Sequence, residues 1–177
     1  MARYDVKPGS TVSGKTVGSG NSMYISSTGL AIDTIINTNY TTTDAAFLYI
    51  NEGGKASGTI IRHGRLYISN GGVAESTTQF AGTQTVLEGG LTNSTIVSGG
   101  TLDLAAGASA TNVQINGFMT ADYTADSYIT GTSNGKDIKV GDKEMNNLTI
   151  WHTRYMTVSD GWVASNTTIN TNYTTTD

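Results

Sequence analysis

Residues 48–119 read LYINEGGKASGTIIRHGR, LYISNGGVAESTTQFAGT, QTVLEGGLTNSTIVSGGT and LDLAAGASATNVQINGFM, four windows that begin at Leu48, Leu66, Gln84 and Leu102. They align without a gap at a period of 18 residues. Gly53-Gly54 recurs as Gly71-Gly72 and Gly89-Gly90, then as Gly107-Ala108. Ala56 recurs as Ala74, Thr92 and Ala110, and Thr59 as Thr77, Thr95 and Val113. Self-similarity at a fixed period marks a repeat architecture and outranks any local reading.

Each window carries two alternating segments. Leu48-Tyr49-Ile50 has its equivalents in Leu66-Tyr67-Ile68, Leu102-Asp103-Leu104 and Ile138-Lys139-Val140. This is strand period two, with the outer positions inward and the middle one outward. Thr59-Ile60-Ile61 repeats as Thr95-Ile96-Val97 and Val113-Gln114-Ile115. The glycine pair between the segments supplies turn conformations that a side chain would forbid. So short a unit cannot bury its own face. Stacked units can, with identical columns about 4.8 Å apart and hydrogen bonds running from coil to coil. The sequence therefore predicts an all-β, single-stranded parallel β-helix of about 18 residues per coil.

Outside these windows the register continues. Window 138–155 keeps Ile138, Val140, Thr149 and Trp151 in their columns, and the next keeps Met156, Val158, Gly161, Ala164, Thr167 and Ile169. Residues 120–137 fill one period but match poorly, which predicts an irregular coil or loop. Upstream, 23–40 matches 48–65 once Thr41 to Phe47 are set aside as an insertion. Residues 1–22 read as a degenerate coil or cap, and 23–177 as the array. INTNYTTTD occurs at 36–44 and again at 169–177. This recurrence leads us to expect either a segment of a longer array or an abrupt end to this one. Eight or nine coils would form a rod on the order of 40 Å long.

The composition agrees. The 177 residues include 22 Gly, 1 Pro and no Cys, and only 14% are charged. The polar mass is Thr, Ser, Asn and Gly, which disfavours long helices and suits strands and tight turns. Without Cys there is no disulfide scaffold, thiolate metal site or thiol nucleophile. A net charge of −4 argues against a nucleic-acid partner. No apolar run reaches the roughly 18–20 residues of a membrane helix, and without an apolar h-region after Met1 no signal peptide is expected in this chain. No cofactor or metal is expected.

Units such as VLEGGLTNSTIVSGGTL (86–102) and VSDGWVASNTTIN (158–170) resemble the strand-loop-strand repeats of AIDA-type autotransporter passengers. The resemblance covers roughly 23–119 and 138–173, although the coils here are 18 rather than about 19 residues. It implies a right-handed, roughly triangular β-helix exposed on a Gram-negative surface. Members act as adhesins in host attachment, autoaggregation and biofilm formation, and some are heptosylated on serine. Ser165, in VASNT, best matches that acceptor context, and Ser57, in KASGT, matches it less well. Localisation at the cell surface or in the medium is thus an expectation about an exported parent protein.

Candidate chemistry is sparse. His63 and His152 fall five coils apart and cannot share a site. The column before the glycine pair reads Glu52, Asn70, Glu88, Ala106, Thr124, Asp142, Asp160, as solvated turns would. A polysaccharide-processing enzyme would need a groove beside 120–137 lined by Asp122, Asp126, Asp142 and Asp160. The chain is expected not to be an enzyme. Tyr24, Tyr49 and Tyr67 share one outward column on successive coils, an exposed aromatic ladder. Tyr40 and Tyr173 extend such a surface. The favoured reading is an adhesin repeat region whose extended face meets a second copy, side by side or end to end, or a glycan receptor on a host surface. The alternatives are a structural spacer or fibre module with no ligand and a β-helix polysaccharide-processing enzyme.

Overall fold

A computed structural model describes residues 1–38, 45–116, 120–123, 127–147, 149–151 and 163–170. The chain is a right-handed all-β parallel solenoid with coils about 18 residues apart. No helix among the described residues is long and apolar enough to cross a membrane.

Each regular coil has three strands, so the solenoid has three faces. Face A holds Arg3–Val6, Ser22–Ile25, Phe47–Ile50, Arg65–Ile68, Thr83–Val86, Thr101–Leu104 and Thr120–Tyr123, paired in that order. Face B holds Thr11–Ser13, Leu30–Ile32, Lys55–Ser57, Val73–Glu75, Leu91–Asn93 and the start of Ser109–Ile115. Face C holds Thr16–Val17, Ile35–Ile36, Ile60–Ile61, Thr78–Gln79, Ile96–Val97 and the end of Ser109–Ile115. All these pairings are parallel, each strand lying beside its counterpart one coil on.

Five inward columns build the core. One runs Met23, Leu48, Leu66, Gln84, Leu102 and a second Ile25, Ile50, Ile68, Val86, Leu104. Ala31, Ala56, Ala74, Thr92 and Ala110 are the buried small residues of face B. Thr34, Thr59, Thr77 and Thr95 are buried at the B–C corner, beside Ile36, Ile61, Gln79 and Val97. In the first coil Tyr4 takes the inward position, and the Lys15 ammonium lies 4.0 Å from its ring centroid.

The two members of the glycine pair serve different needs. The first, as at Gly53, Gly71, Gly89 and Gly107, has φ near +70°, the left-handed region that favours glycine. The second is a close approach of backbone. A Cβ on Gly72 would sit 2.8 Å from the Ile50 carbonyl oxygen, one coil back. A further left-handed column turns face B into face C, at Gly14, Asp33, Gly58, Ser76, Ser94 and Asn112.

Three expectations change. Residues 1–22, expected as a degenerate coil or cap, form a coil with all three strands, paired in register with the next. Phe47, set aside as the end of the insertion, is the first residue of a face A strand and pairs with Ser22 and Arg65. The extra residues therefore fall between Ile36 and Ala46, and 39–44 lie outside the described residues.

The third change is larger. Ile138-Lys139-Val140 does not join the face A column. Lys136–Gly141 runs antiparallel to Tyr128–Ser133, and Glu144–Asn146 runs antiparallel to Lys136–Gly141. The turns are Asn134-Gly135 and Asp142-Lys143, each with both central residues at positive φ. That geometry matches the twist of a tight hairpin, and Asn-Gly is its strongest sequence signal. Parallel stacking resumes where Glu144–Asn146 pairs with Val163–Ser165 and Thr149–Trp151 with Thr168–Asn170.

Candidate functional site

Face A carries the predicted ladder. Tyr24 pairs with Tyr49 and Tyr49 with Tyr67, each on the outward side of its strand. Their ring centroids are 4.7 Å and 5.3 Å apart, with interplanar angles of 11° and 9°. Rings so close and so nearly parallel turn their faces to one another along the solenoid axis. Solvent meets their edges and hydroxyls, so the ladder is a rail of phenols and not a flat aromatic platform.

The residues around it were not singled out from the sequence. Phe47 stands in the adjacent outward column, its ring 5.9 Å from Tyr49 and 6.5 Å from Tyr67. The Arg3 guanidinium lies 4.2 Å from the Tyr24 centroid, and its Nε donates to Asp5 Oδ1 at 2.9 Å. Arg65 Nη1 donates to the Tyr67 hydroxyl at 3.5 Å. Arg3, Phe47 and Arg65 all sit two residues before the ladder column. Extending each strand by one alternation would have placed them beside the ladder column, but not Arg3 over the Tyr24 ring. Desolvation raises the Tyr49 phenol pKa, and the flanking phenols of Tyr24 and Tyr67 add to this, against a smaller lowering by Arg65.

Beyond the ladder the outward column continues with Thr85 and Asp103, and Asp122 holds the next register position.

The two candidate acceptor serines occupy equivalent places. Ser57 and Ser165 each end a face B strand, immediately before a left-handed residue, Gly58 or Asn166. Both are half-buried. Ser165 Oγ donates to Asn146 Oδ1 one coil back, and Thr111 Oγ1 makes the like bond to Asn93 Oδ1 at 3.0 Å. Over the regular coils that column reads Ser13, Ile32, Ser57, Glu75, Asn93 and Thr111, so its hydroxyl and amide groups are interrupted by other side chains.

With this geometry in place, one likeness to a solved structure can be weighed. The chain is similar to a fragment of TibA. That fragment is described as hyper-glycosylated in a reaction catalysed by TibC. The identity is 28% and the TM-score 0.57, over 68% of this chain and 48% of that one. The chain thus spans about half the length of the TibA fragment. No family model and no curated protein sequence matches the chain.

Among the described residues the acidic candidates do not gather. Glu52 and Glu88 are exposed on glycine turns two coils apart. Asp142 is in a hairpin turn and not on a solenoid coil, where its Oδ2 accepts from Lys139 Nζ at 3.1 Å. Asp122 is on the last face A strand, and Asp126 and Asp160 lie outside the described residues. So do Tyr40, His152 and Tyr173, while His63 is half-buried near the C–A corner. Among the described residues no three His, Cys, Asp or Glu come together as a metal site.

Proposed function

We propose that this chain is a repeat module of a bacterial surface adhesin, exported within an autotransporter-type parent protein, and that it binds rather than catalyses. The observation that carries this reading is the phenol ladder on a parallel face, in a fold similar to the TibA fragment. Face A would meet face A of a second copy, side by side. Phenol edges and hydroxyls supply contact area at low conformational cost, and threonine rungs supply hydrogen bonds. Contacts repeated along a rod add through avidity without any one strong site. The described charges of this face balance, with Arg3 and Arg65 against Asp5 and Asp103, so repulsion between copies is small.

The test is sedimentation of the chain over a wide concentration range, beside Tyr24→Ser/Tyr49→Ser/Tyr67→Ser. Association that rises with concentration and is lost in the variant supports the reading. An elongated monomer throughout sinks it and leaves the spacer reading.

Ser57 and Ser165 are the acceptors we propose for a glycosyltransferase of TibC's kind. Their shared corner position and the glycosylation of the TibA fragment support the assignment. Intact mass after co-expression with such an enzyme, with Ser57→Ala and Ser165→Ala as controls, reads the modification directly.

A further inference from the structure

The ladder column has two ends, and only one is filled. Read coil by coil it runs Asp5, Tyr24, Tyr49, Tyr67, Thr85, Asp103. At the first end the outer face of Tyr24 is covered by the Arg3 guanidinium at 4.2 Å, and that guanidinium also bonds Asp5. Ring, cation and carboxylate form one unit. At the other end Tyr67 has Tyr49 on one face. Its second face looks along the axis over Thr85, toward Asp103 two coils on. Among the described residues no ring stacks on that second face and no cation pairs with Asp103. Arg65 reaches the rim of Tyr67, at its hydroxyl.

We propose that this step is a binding site for a guanidinium group, supplied as an arginine side chain of a partner polypeptide. The spacing suits it. Two strand intervals separate Tyr67 from Asp103, about 9.6 Å along the axis. A guanidinium at the Arg3–Tyr24 distance from the ring leaves about 5 Å to the Asp103 position, within reach of a carboxylate. The chemistry suits it as well. A planar, weakly hydrated guanidinium stacks on a ring face while its charge is drawn to a carboxylate on its far side, which a strongly hydrated ammonium does less well. Thr85 is small enough to floor the gap. The site uses the end face of the stack, so it does not depend on the ladder edges driving self-association.

The test is an amide-resolved NMR titration of the whole chain with N-acetyl-arginine amide, beside the uncharged isostere N-acetyl-citrulline amide. Saturable shifts are expected at Tyr67, Thr85 and Asp103 in the millimolar range, about tenfold weaker or absent with citrulline. Asp103→Asn should weaken them. Thr85→Tyr should abolish them, because it places a fourth ring in the stack and covers the open face of Tyr67. Tyrosine already occupies that column on three coils, so the variant should fold, and its spectrum reports whether it does. Equal shifts with citrulline, or shifts that persist in folded Thr85→Tyr, overturn the proposal.

Discussion

Tyr49 sits between two rings of its own kind, and its ionisation is where that neighbourhood can be measured. Desolvation raises its pKa, the phenols of Tyr24 and Tyr67 add to the rise, and Arg65 opposes it. A raised pKa means that the folded chain favours the neutral phenol more than the unfolded chain does. The associated stability is fully present below the ordinary tyrosine value of about 10 and is lost as pH rises through the folded value. Ultraviolet titration of the parent beside Tyr49→Phe is expected to show that the phenol missing from the variant ionises above the ordinary tyrosine value. The thermal midpoint should fall more steeply above pH ~10 than in Tyr49→Phe, which keeps the ring and removes the proton. Identical alkaline profiles for the two proteins would refute the coupling. The ladder itself was legible in the sequence, since an 18-residue register and strand alternation are enough to align the three tyrosines. Its guanidinium cap was not, because Arg3 and Asp5 cover Tyr24 only through the rotamers they adopt.

Among the strands, the fifth coil departs from its neighbours in two columns at once. Gln84 stands where Leu48, Leu66 and Leu102 pack, and Thr92 stands where Ala56, Ala74 and Ala110 pack. The two substitutions answer each other. Gln84 Nε2 donates to Thr92 Oγ1 at 2.8 Å, and Thr92 Oγ1 lies 2.7 Å from Thr95 Oγ1, all of it buried. Gln84 Oε1 has no partner. Thr92→Ala alone strands a buried amide donor and is expected to cost about 1–3 kcal/mol. Gln84→Leu with Thr92→Ala restores the pattern of the adjoining coils. That double variant removes the unpaired Gln84 Oε1 but leaves Thr95 Oγ1 unpaired, as Thr59 Oγ1 and Thr77 Oγ1 already are, so it should stay within about 1 kcal/mol of the parent. Denaturant unfolding in a double-mutant cycle measures the coupling, and simple additivity would refute it. Periodicity reads such columns well, because alternation decides which side chain is inward. It reads badly where a local turn overrides it. Ile138 and Val140 fit the apolar columns, yet Asn134-Gly135 four residues earlier is a hairpin signal that the periodic alignment passed over.

Across the whole solenoid, the two proposed surfaces are separated by the cross-section itself. Each regular coil visits face A, then face B, then face C, so the B–C corner is the vertex opposite face A. Tyr24, Tyr49 and Tyr67 stand on face A, and Ser57 and Ser165 stand at the B–C corner. A glycan on those serines would project away from the ladder, leaving face A free to meet a second copy. The resemblance seen in the sequence joined adhesion and serine glycosylation without saying whether they compete, because residue columns do not show on which side of a coil each one lies. The fold puts the two proposed sites on different sides of each coil. Chain co-expressed with a glycosyltransferase of TibC's kind should gain mass, and Ser57→Ala and Ser165→Ala should remove that gain stepwise. The modified chain should sediment with the same concentration dependence as the unmodified one, and the triple tyrosine variant should be modified as fully as the parent. Loss of association on glycosylation would place the sugars, or the contact between copies, on a shared face and would overturn this division of the solenoid.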